Sequence, residues 1–182
     1  MNKDVSYRSA RLLLRGIRRE DAAKIVHWRS DPDNYRTFFD ARPITMEEHL
    51  TWFERYLVDD ARYDFMIFNE DGQPIGTAGL SSITDDSCEV SYMIGEKAER
   101  GKGYATEAVR LLTDVALREL GVKRVVARVR PENEASARVV IGGGYVESER
   151  IFTFEASGDF PLEQRQHRAF GGLAEAGRGA GH

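Results

Sequence analysis

Residues 99–108 read Glu-Arg-Gly-Lys-Gly-Tyr-Ala-Thr-Glu-Ala, a glycine-rich loop that leads into a helix. The helix, Tyr104–Leu120, is indicated by apolar residues that recur every three or four positions. Amides at a helix start attract anions, glycines let the backbone approach a ligand closely, and Arg100 and Lys102 add positive charge. A lone Gly-x-Gly pair also fits a solvated loop, but its position before a helix favours a pyrophosphate site. The loop matches neither the Walker nor the Rossmann glycine pattern.

On both sides of this loop, strands and helices alternate. Strands are predicted at Leu12–Leu14, Phe65–Phe68, Ile75–Leu80, Cys88–Ile94, Arg124–Arg130 and Tyr145–Phe154. Helices are predicted at Asp21–Arg29, from Thr45, at Tyr104–Leu120 and at Asn133–Ile141, with a turn at Ser30–Asn34. The turn Asn69–Gly72 makes the second and third strands a hairpin, whereas Cys88–Ile94 and Arg124–Arg130 are joined by the long helix and must be parallel. The order predicts an α/β or α+β sheet of mixed direction.

The second helix has a clear starting signal. Thr45 and Glu48 match a capping box, in which each side chain bonds the backbone amide at the other end of the turn. The apolar spacing of the following residues predicts that the buried face consists of Met46, Leu50, Phe53 and Leu57.

Composition and charge narrow the class of protein. The 182 residues are 41% hydrophobic and 31% charged, with a net charge of −4, which favours one globular domain and gives no basic field for nucleic acid. A single cysteine, Cys88, excludes an internal disulfide, and no metal site is expected. No apolar run suits a membrane span, so we expect a cytoplasmic protein. The domain is expected to cover residues 1–171, with 160–171 ambiguous and 172–182 a flexible tail.

Several motifs in order resemble the GCN5-related N-acetyltransferase (GNAT) superfamily. The glycine loop matches R-x-x-G-x-[GA] at Arg100, Gly103 and Ala105, and Glu89–Ile94 is similar to that family's fourth strand. Asn133–Ser136 followed by Gly144-Tyr145 resembles its N-x-x-[SA]…G-[FY] segment, and Arg11–Ala22 its first strand and helix. The resemblance implies a mixed, mostly antiparallel sheet flanked by helices, with a splay between the family's strands 4 and 5.

The resemblance also implies acetyl-CoA as co-substrate. The pyrophosphate would be bound near Arg100 and Lys102 by the backbone amides of Gly101, Gly103, Tyr104 and Ala105. The main chain of Met93 and Ile94 would pair with pantetheine, one amide serving as oxyanion donor. Asn133, which also suits a helix N-cap, and Ser136 would contact the pantetheine or phosphate end.

The implied reaction is attack by an amine on the thioester, which requires a base because an alkyl amine is mostly protonated at pH 7. Glu89 is the candidate, since similar enzymes often carry a glutamate there, and His27 and His49 are weaker ones. Many relatives have a tyrosine that protonates the leaving thiolate, but Val140 stands at that position and Gly142 replaces a basic residue. Tyr92 or Tyr145 is a possible substitute, so the general acid stays open.

The acceptor amine stays open as well. The glycine-loop layout resembles ribosomal-protein alanine N-acetyltransferases, whereas the segments 27–32 and 48–53 are similar to aminosugar-nucleotide N-acetyltransferases. In the second case Trp28, His49 and Trp52 would contact the base or sugar, and Arg29 a phosphate; plain core packing is the alternative for both tryptophans. We expect a small-molecule amine such as an amino-sugar nucleotide, with a protein N-terminus or a degenerate acyl-CoA-binding module as alternatives. A homodimer is possible, and no nucleic-acid or membrane partner is expected.

Overall fold

The computed structural model describes residues 3–148 and 151–155, which form one eight-stranded sheet with helices on both faces. The strands are β1 Ser6–Arg8, β2 Leu13–Gly16, β3 Tyr63–Phe68, β4 Pro74–Ser81, β5 Ser87–Ile94, β6 Arg124–Arg128, β7 Val146–Ser148 and β8 Ile151–Glu155. The helices are α1 Ala22–Ser30, α2 Pro32–Tyr35, α3 Met46–Val58, α4 Tyr104–Arg118 and α5 Glu134–Gly142. The strand order is β1-β2-β3-β4-β5-β6-β8-β7.

The parallel pair in the middle of the sheet opens a cleft. Every other neighbouring pair is antiparallel, but β5 and β6 run parallel and pair only from Ser87↔Arg124 to Glu89↔Val126. Beyond Glu89, β5 continues to Ile94 while pairing only with β4. The predicted fold is therefore confirmed, including the splay. The splay expected between strands 4 and 5 lies between β5 and β6, because the additional first strand, β1, shifts the strand numbers by one.

The two faces of the sheet carry separate cores. On one face, α4 packs Val109 and Leu112 against strand residues such as Phe65 and Val125. On the other face, α1 and α3 bury the aromatic side chains of Trp28, Phe53 and Tyr56 against Met66 of β3 and Met93 of β5. The second face therefore has helices over its cleft, and this arrangement places α1 and α3 opposite Glu89.

The structure corrects two strand predictions. β1 pairs with β2 through Tyr7↔Leu14 and was not indicated by the short polar segment around it. The predicted single strand Tyr145–Phe154 is wrong, because it contains two antiparallel strands, β7 and β8. Residues 147–150, Glu-Ser-Glu-Arg, contain no glycine, proline or asparagine that would have signalled the reversal.

Two helix predictions also change in detail. Thr45 caps α3 as expected, with its Oγ1 accepting from the Glu48 amide at 3.1 Å. The buried residues of α3, however, are His49, Phe53 and Tyr56, whereas Met46 and Leu57 are about 40% exposed. The predicted turn at 30–34 contains the short helix α2, whose first turn is capped by the Asp31 carboxylate.

The predicted domain limit at residue 171, the ambiguous 160–171 and the tail 172–182 lie outside the described residues. Among the residues that are described, no helix combines the length and apolar character needed to cross a membrane.

Candidate active site

A cavity of about 1320 Å³ opens where β5 and β6 diverge. The glycine loop, the start of α4 and the start of α5 line one end, through Gly101, Gly103, Ala105 and Ser136. Residues of α1, α3 and the loop after α2 line the other end. A single continuous space therefore connects a helix N-terminus to the acidic side chain of Glu89 and to the aromatic residues beyond it.

The glycine loop takes a conformation that favours glycine. Gly101 and Gly103 have φ angles of +77° and +85°, in the left-handed region that L side chains rarely adopt. Gly103 is the N-cap residue of α4, and no side chain caps the helix. The first-turn amides of α4 are thus available to an anion at the positive end of the helix dipole.

Glu107 fixes the loop to the N-terminal part of the chain. Its Oε1 accepts hydrogen bonds from Ser9 Oγ at 2.6 Å and from the Arg11 amide at 2.9 Å, and its Oε2 accepts from Arg11 Nε at 2.8 Å. Arg11 in turn donates to the carbonyl of Lys102 at 3.1 Å. Burial alone would raise the pKa of Glu107, but these bonds from Ser9 and Arg11 lower it overall, so the carboxylate stays ionised.

The two basic residues of the loop are engaged within the protein. Arg100 lines the cavity but donates to the carbonyl of Ile94 at 3.2 Å and to Oδ1 of Asn34, which ties α2 to the end of β5. Lys102 does not line the cavity, and its Nζ lies 2.9 Å from Glu99 Oε1. Arg100 therefore keeps its positive charge at this end of the cavity, because both of its acceptors are neutral, whereas Lys102 is paired with Glu99 outside the cavity.

The side of the cleft between β5 and α5 is organised by two hydroxyl groups. Asn133 caps α5 as the sequence suggested, with its Oδ1 accepting from the Ser136 amide at 3.0 Å. Tyr92 Oη lies 2.9 Å from the Ser136 carbonyl, to which it donates, and 2.5 Å from Ser136 Oγ. Burial raises the pKa of Tyr92 to about 12, so its hydroxyl is protonated at neutral pH. Met93 and Ile94 line the adjoining wall.

Glu89 stands at the point where the two strands separate. It is the last residue of β5 that pairs with β6, and its side chain lines the cavity and is one quarter exposed. Its Oε2 lies 3.2 Å from Nε of Arg128, a residue that the sequence analysis did not single out. Residues of β6 alternate between the two faces of the sheet. Val125 and Ala127 are buried in the core under α4, so Arg128 points to the opposite face, and this alternation was the available signal.

At the end of the cavity formed by α1 and α3, Arg29, His49 and Trp52 line the wall, and Trp28 does not join them. Trp28 is 2% exposed, its Nε1 donates to Glu96 at 3.1 Å, and its ring leaves no room for a Cβ at Gly95, which would lie 2.3 Å away. Trp28 therefore packs in the core. His27 is exposed on α1 and does not line the cavity either.

His49 is buried in the cavity wall, 4% exposed, with its ring centroid 5.2 Å from that of Trp52. Burial, and next the charge of Arg29, lower the pKa of His49, so its ring is neutral at pH 7. Arg29 lies over the ring of Phe38 at 4.5 Å, and burial lowers its pKa below the usual value. Both residues line the same partly dehydrated end of the cavity.

An ion pair that the sequence analysis missed lies on the same wall. Asp64 accepts from Arg62 Nε at 2.5 Å and from its Nη2 at 3.1 Å. Burial raises the pKa of Asp64, although Arg62 opposes the shift. Gly79 on β4 makes room for this carboxylate, since a Cβ there would lie 2.6 Å from Asp64 Oδ1. The sequence signal for this ion pair is the presence of Arg62 and Asp64, two opposite charges, at the edge of the otherwise apolar run Tyr63–Phe68.

Comparison with known proteins identifies this architecture. A family model described as an acetyltransferase (GNAT) domain matches residues 11–146. The chain belongs to the GNAT family.

Individual relatives support the assignment. The chain is 38% identical over 102 residues to the probable N-acetyltransferase YjcK of Bacillus subtilis. The match covers 54% of this chain and 56% of that protein, so the chain spans little more than half of this relative's length. It is 30% identical over 137 residues to the uncharacterized N-acetyltransferase p20 of Bacillus licheniformis, covering 71% of this chain and 76% of that protein. A spermidine N-acetyltransferase from Vibrio cholerae, solved with CoA and spermine, superimposes with a TM-score of 0.70 at 22% identity, over 75% of this chain and 82% of that one.

The departure from the GNAT pattern noted at Val140 has a structural counterpart. Val140 is completely buried in the core that α5 shares with α4, so this position contributes only packing. Tyr145 lies deeper than the cavity, with its hydroxyl 2.6 Å from Thr113 Oγ1, and burial raises its pKa. Of the two tyrosines considered as substitutes, only Tyr92 lines the cavity.

Proposed function

We propose that this protein transfers an acetyl group from acetyl-CoA to a primary amine of a small molecule such as an amino-sugar nucleotide. The observation that carries the proposal is the continuous cavity at the divergence of β5 and β6, which joins the uncapped start of α4 to the carboxylate of Glu89. One end suits a pyrophosphate and the middle suits an extended arm that pairs with an open strand. The far end offers room for an acceptor.

The proposed cofactor contacts, apart from Lys102, involve residues that line the cavity. The amides of Gly101, Gly103, Tyr104 and Ala105 would hold the pyrophosphate, since these residues line the cavity at the head of α4. The open edge of β5 at Met93 and Ile94 would pair with pantetheine, and an amide there would stabilise the developing oxyanion. Arg100 and Lys102 contribute less directly, because their side chains already have protein partners.

The proposed chemistry is direct transfer. The acceptor arrives as an ammonium ion and loses one proton to Glu89, directly or through a water molecule. The amine nitrogen then forms the new N–C bond and the C–S bond breaks. The nitrogen loses a second proton as it becomes the amide, and the departing CoA thiolate takes up that proton, directly or through a water molecule. A thiol with a pKa near 8.5 is already a fair leaving group, so the loss of a tyrosine at position 140 costs little.

The aromatic and basic residues at the acceptor end favour a small molecule. Trp52 and His49 provide flat surfaces for a sugar or base, and Arg29 provides a cation. The second candidate is a protein that binds acyl-CoA without turnover, which the buried Val140 favours. A homodimer and a cytoplasmic location stay predictions from the sequence.

The test is release of free thiol from acetyl-CoA, monitored with a thiol-reactive dye against a panel of amines that begins with amino-sugar nucleotides and includes peptides with free N-termini. Turnover of a sugar amine, lost in Glu89→Gln and kept in the surface variant Glu54→Gln, supports the proposal. Binding of acetyl-CoA without thiol release for any amine indicates the binding module instead. Faster turnover of peptides indicates a protein acceptor.

A further inference from the structure

The acceptor end of the cavity contains two nitrogen groups that the protein leaves without an acceptor. His49 is buried, with only 4% of its surface exposed, and its Nε2 has no hydrogen-bond partner among the described residues. Arg29 is half-buried against the ring of Phe38, and within residues 3–148 and 151–155 it forms no hydrogen bond or ion pair with a carboxylate. Buried polar groups are normally hydrogen-bonded, so an unpaired pair facing a cavity points to a ligand.

Two carboxylates near Arg29, Asp40 and Asp64, are already paired with other arginines. Asp40 attracts Arg29 but lies 3.2 Å from Arg42 Nε, and Asp64 is held by Arg62. The positive charge of Arg29 is therefore not neutralised by a direct partner in the described part of the chain. Burying an unpaired guanidinium costs free energy, and binding of an anion would offset that cost.

We propose that Arg29 and His49 form a subsite for an acidic group, a carboxylate or a phosphate, carried by the amine acceptor. This inference rests on the proposed function and specifies its substrate class. The planar guanidinium of Arg29 matches two oxygens of either anion, and the neutral ring of His49 donates one hydrogen bond from Nε2. Trp52, 5.2 Å from His49, forms the adjoining flat surface.

The same geometry argues against His49 as the base. Burial, and next the charge of Arg29, lower the pKa of His49, and the same cation repels an arriving ammonium group. Glu89, on β5, is the carboxylate that we assign to the ammonium group, and it keeps that role beside Arg128, which lies 3.2 Å from its Oε2. The acceptor would thus lie with its amine towards Glu89 and its acidic group towards α1 and α3, an orientation that disfavours acceptors carrying only positive charges.

The first experiment compares acceptors that differ only in the acidic group. Glucosamine 6-phosphate is paired with glucosamine, L-alanine with L-alaninamide, and spermidine serves as a polycation. We expect the acidic member of at least one pair to have a kcat/KM at least 10-fold higher than its partner. Arg29→Gln should remove this preference by raising KM for the acidic member about 10- to 100-fold with little change in kcat. Arg19→Gln, an equal charge change on the surface, should leave it intact.

The second experiment does not depend on turnover. Protein saturated with CoA, so that the α4 end is filled, is titrated with inorganic phosphate and separately with acetate in a calorimeter. We expect binding of at least one anion, weakened 10-fold or more by Arg29→Gln and by His49→Phe, and weakened less by His49→Gln, which keeps a donor. Phosphate and acetate distinguish the two sources of the acidic group.

Any of the following results would overturn the proposal: no anion binding to the CoA-saturated protein at 50 mM, anion binding that survives Arg29→Gln, or equal or better turnover of spermidine and the neutral amines. A loss of kcat in His49→Gln at unchanged KM would make His49 the base and would overturn it as well. Failure of the proposed function is a separate outcome, because it shows as absence of acetyl-CoA binding and of thiol release for all amines.

Discussion

Glu107 offers the sharpest test of how the glycine loop is held. Replacing Glu107 by Gln removes the charge that accepts hydrogen bonds from Ser9 Oγ, the Arg11 amide and Arg11 Nε, all at 2.6–2.9 Å, in a side chain that is 13% exposed. Hydrogen bonds to a charged group contribute about 1.5–3 kcal/mol, and the amide of Gln keeps part of the set, so we expect a loss of about 2 kcal/mol. For a chain of this length the Tm falls by about 4–8 °C.

The control is Glu54→Gln, which breaks an ion pair with Arg19 whose partners are 61% and 63% exposed. Exposed pairs contribute little, so its Tm should stay within about 2 °C of the parent. Because the pKa of Glu107 is lowered from 4.5, its stabilising effect is complete above that value and disappears as the pH falls through the lower pKa of the folded protein. The gap between parent and Glu107→Gln should therefore be full at pH 7 and shrink below pH 4.5. Equal Tm losses in the two variants, or a gap independent of pH, would refute this reasoning.

Three further predictions concern the site. Gly101→Ala and Gly72→Ala place a Cβ in open space at similar φ angles of +77° and +72°, so both should lose about 1 kcal/mol of stability, but only Gly101→Ala should raise the Kd of acetyl-CoA, measured by calorimetry. Glu89→Gln should lower kcat about 100-fold or more through loss of the base, while a calorimetric titration finds the Kd of acetyl-CoA unchanged. Trp28→Phe should lower the Tm through the lost Glu96 hydrogen bond and leave acceptor KM unchanged in the thiol-release assay, whereas Trp52→Phe should raise that KM.

The sequence predicted the glycine loop and the start of α4 well because their signals are local. The periodicity of Tyr104–Leu120 and the glycines before it specify a helix start and a left-handed loop without reference to distant residues. The β5–α4–β6 crossover follows from the same local order, since parallel strands require a long connection. The capping roles of Thr45 and Asn133 could also be predicted, because a helix cap involves residues only three positions apart.

The acceptor end was harder to predict because it depends on contacts between distant elements. Trp28 and Trp52 both lie on apolar helix faces, and only the close approach of Gly95 to Trp28 separates the core residue from the cavity residue. The pairing of Glu89 with Arg128 depends on the register of β6 against β5. Similarly, the buried face of α3 includes His49 and not Met46 or Leu57, because the orientation of the helix depends on how it packs against the sheet.

Thermal unfolding with and without acetyl-CoA tests the central claim most directly. If the cavity between β5 and β6 binds acetyl-CoA through the head of α4, ligand at 100 times its Kd adds about 2.7 kcal/mol and raises the Tm by about 5–10 °C. The rise should shrink at the same acetyl-CoA concentration in Gly101→Ala and persist in Gly72→Ala. An unchanged Tm at millimolar acetyl-CoA would contradict the claim, and so would an equal rise in both variants.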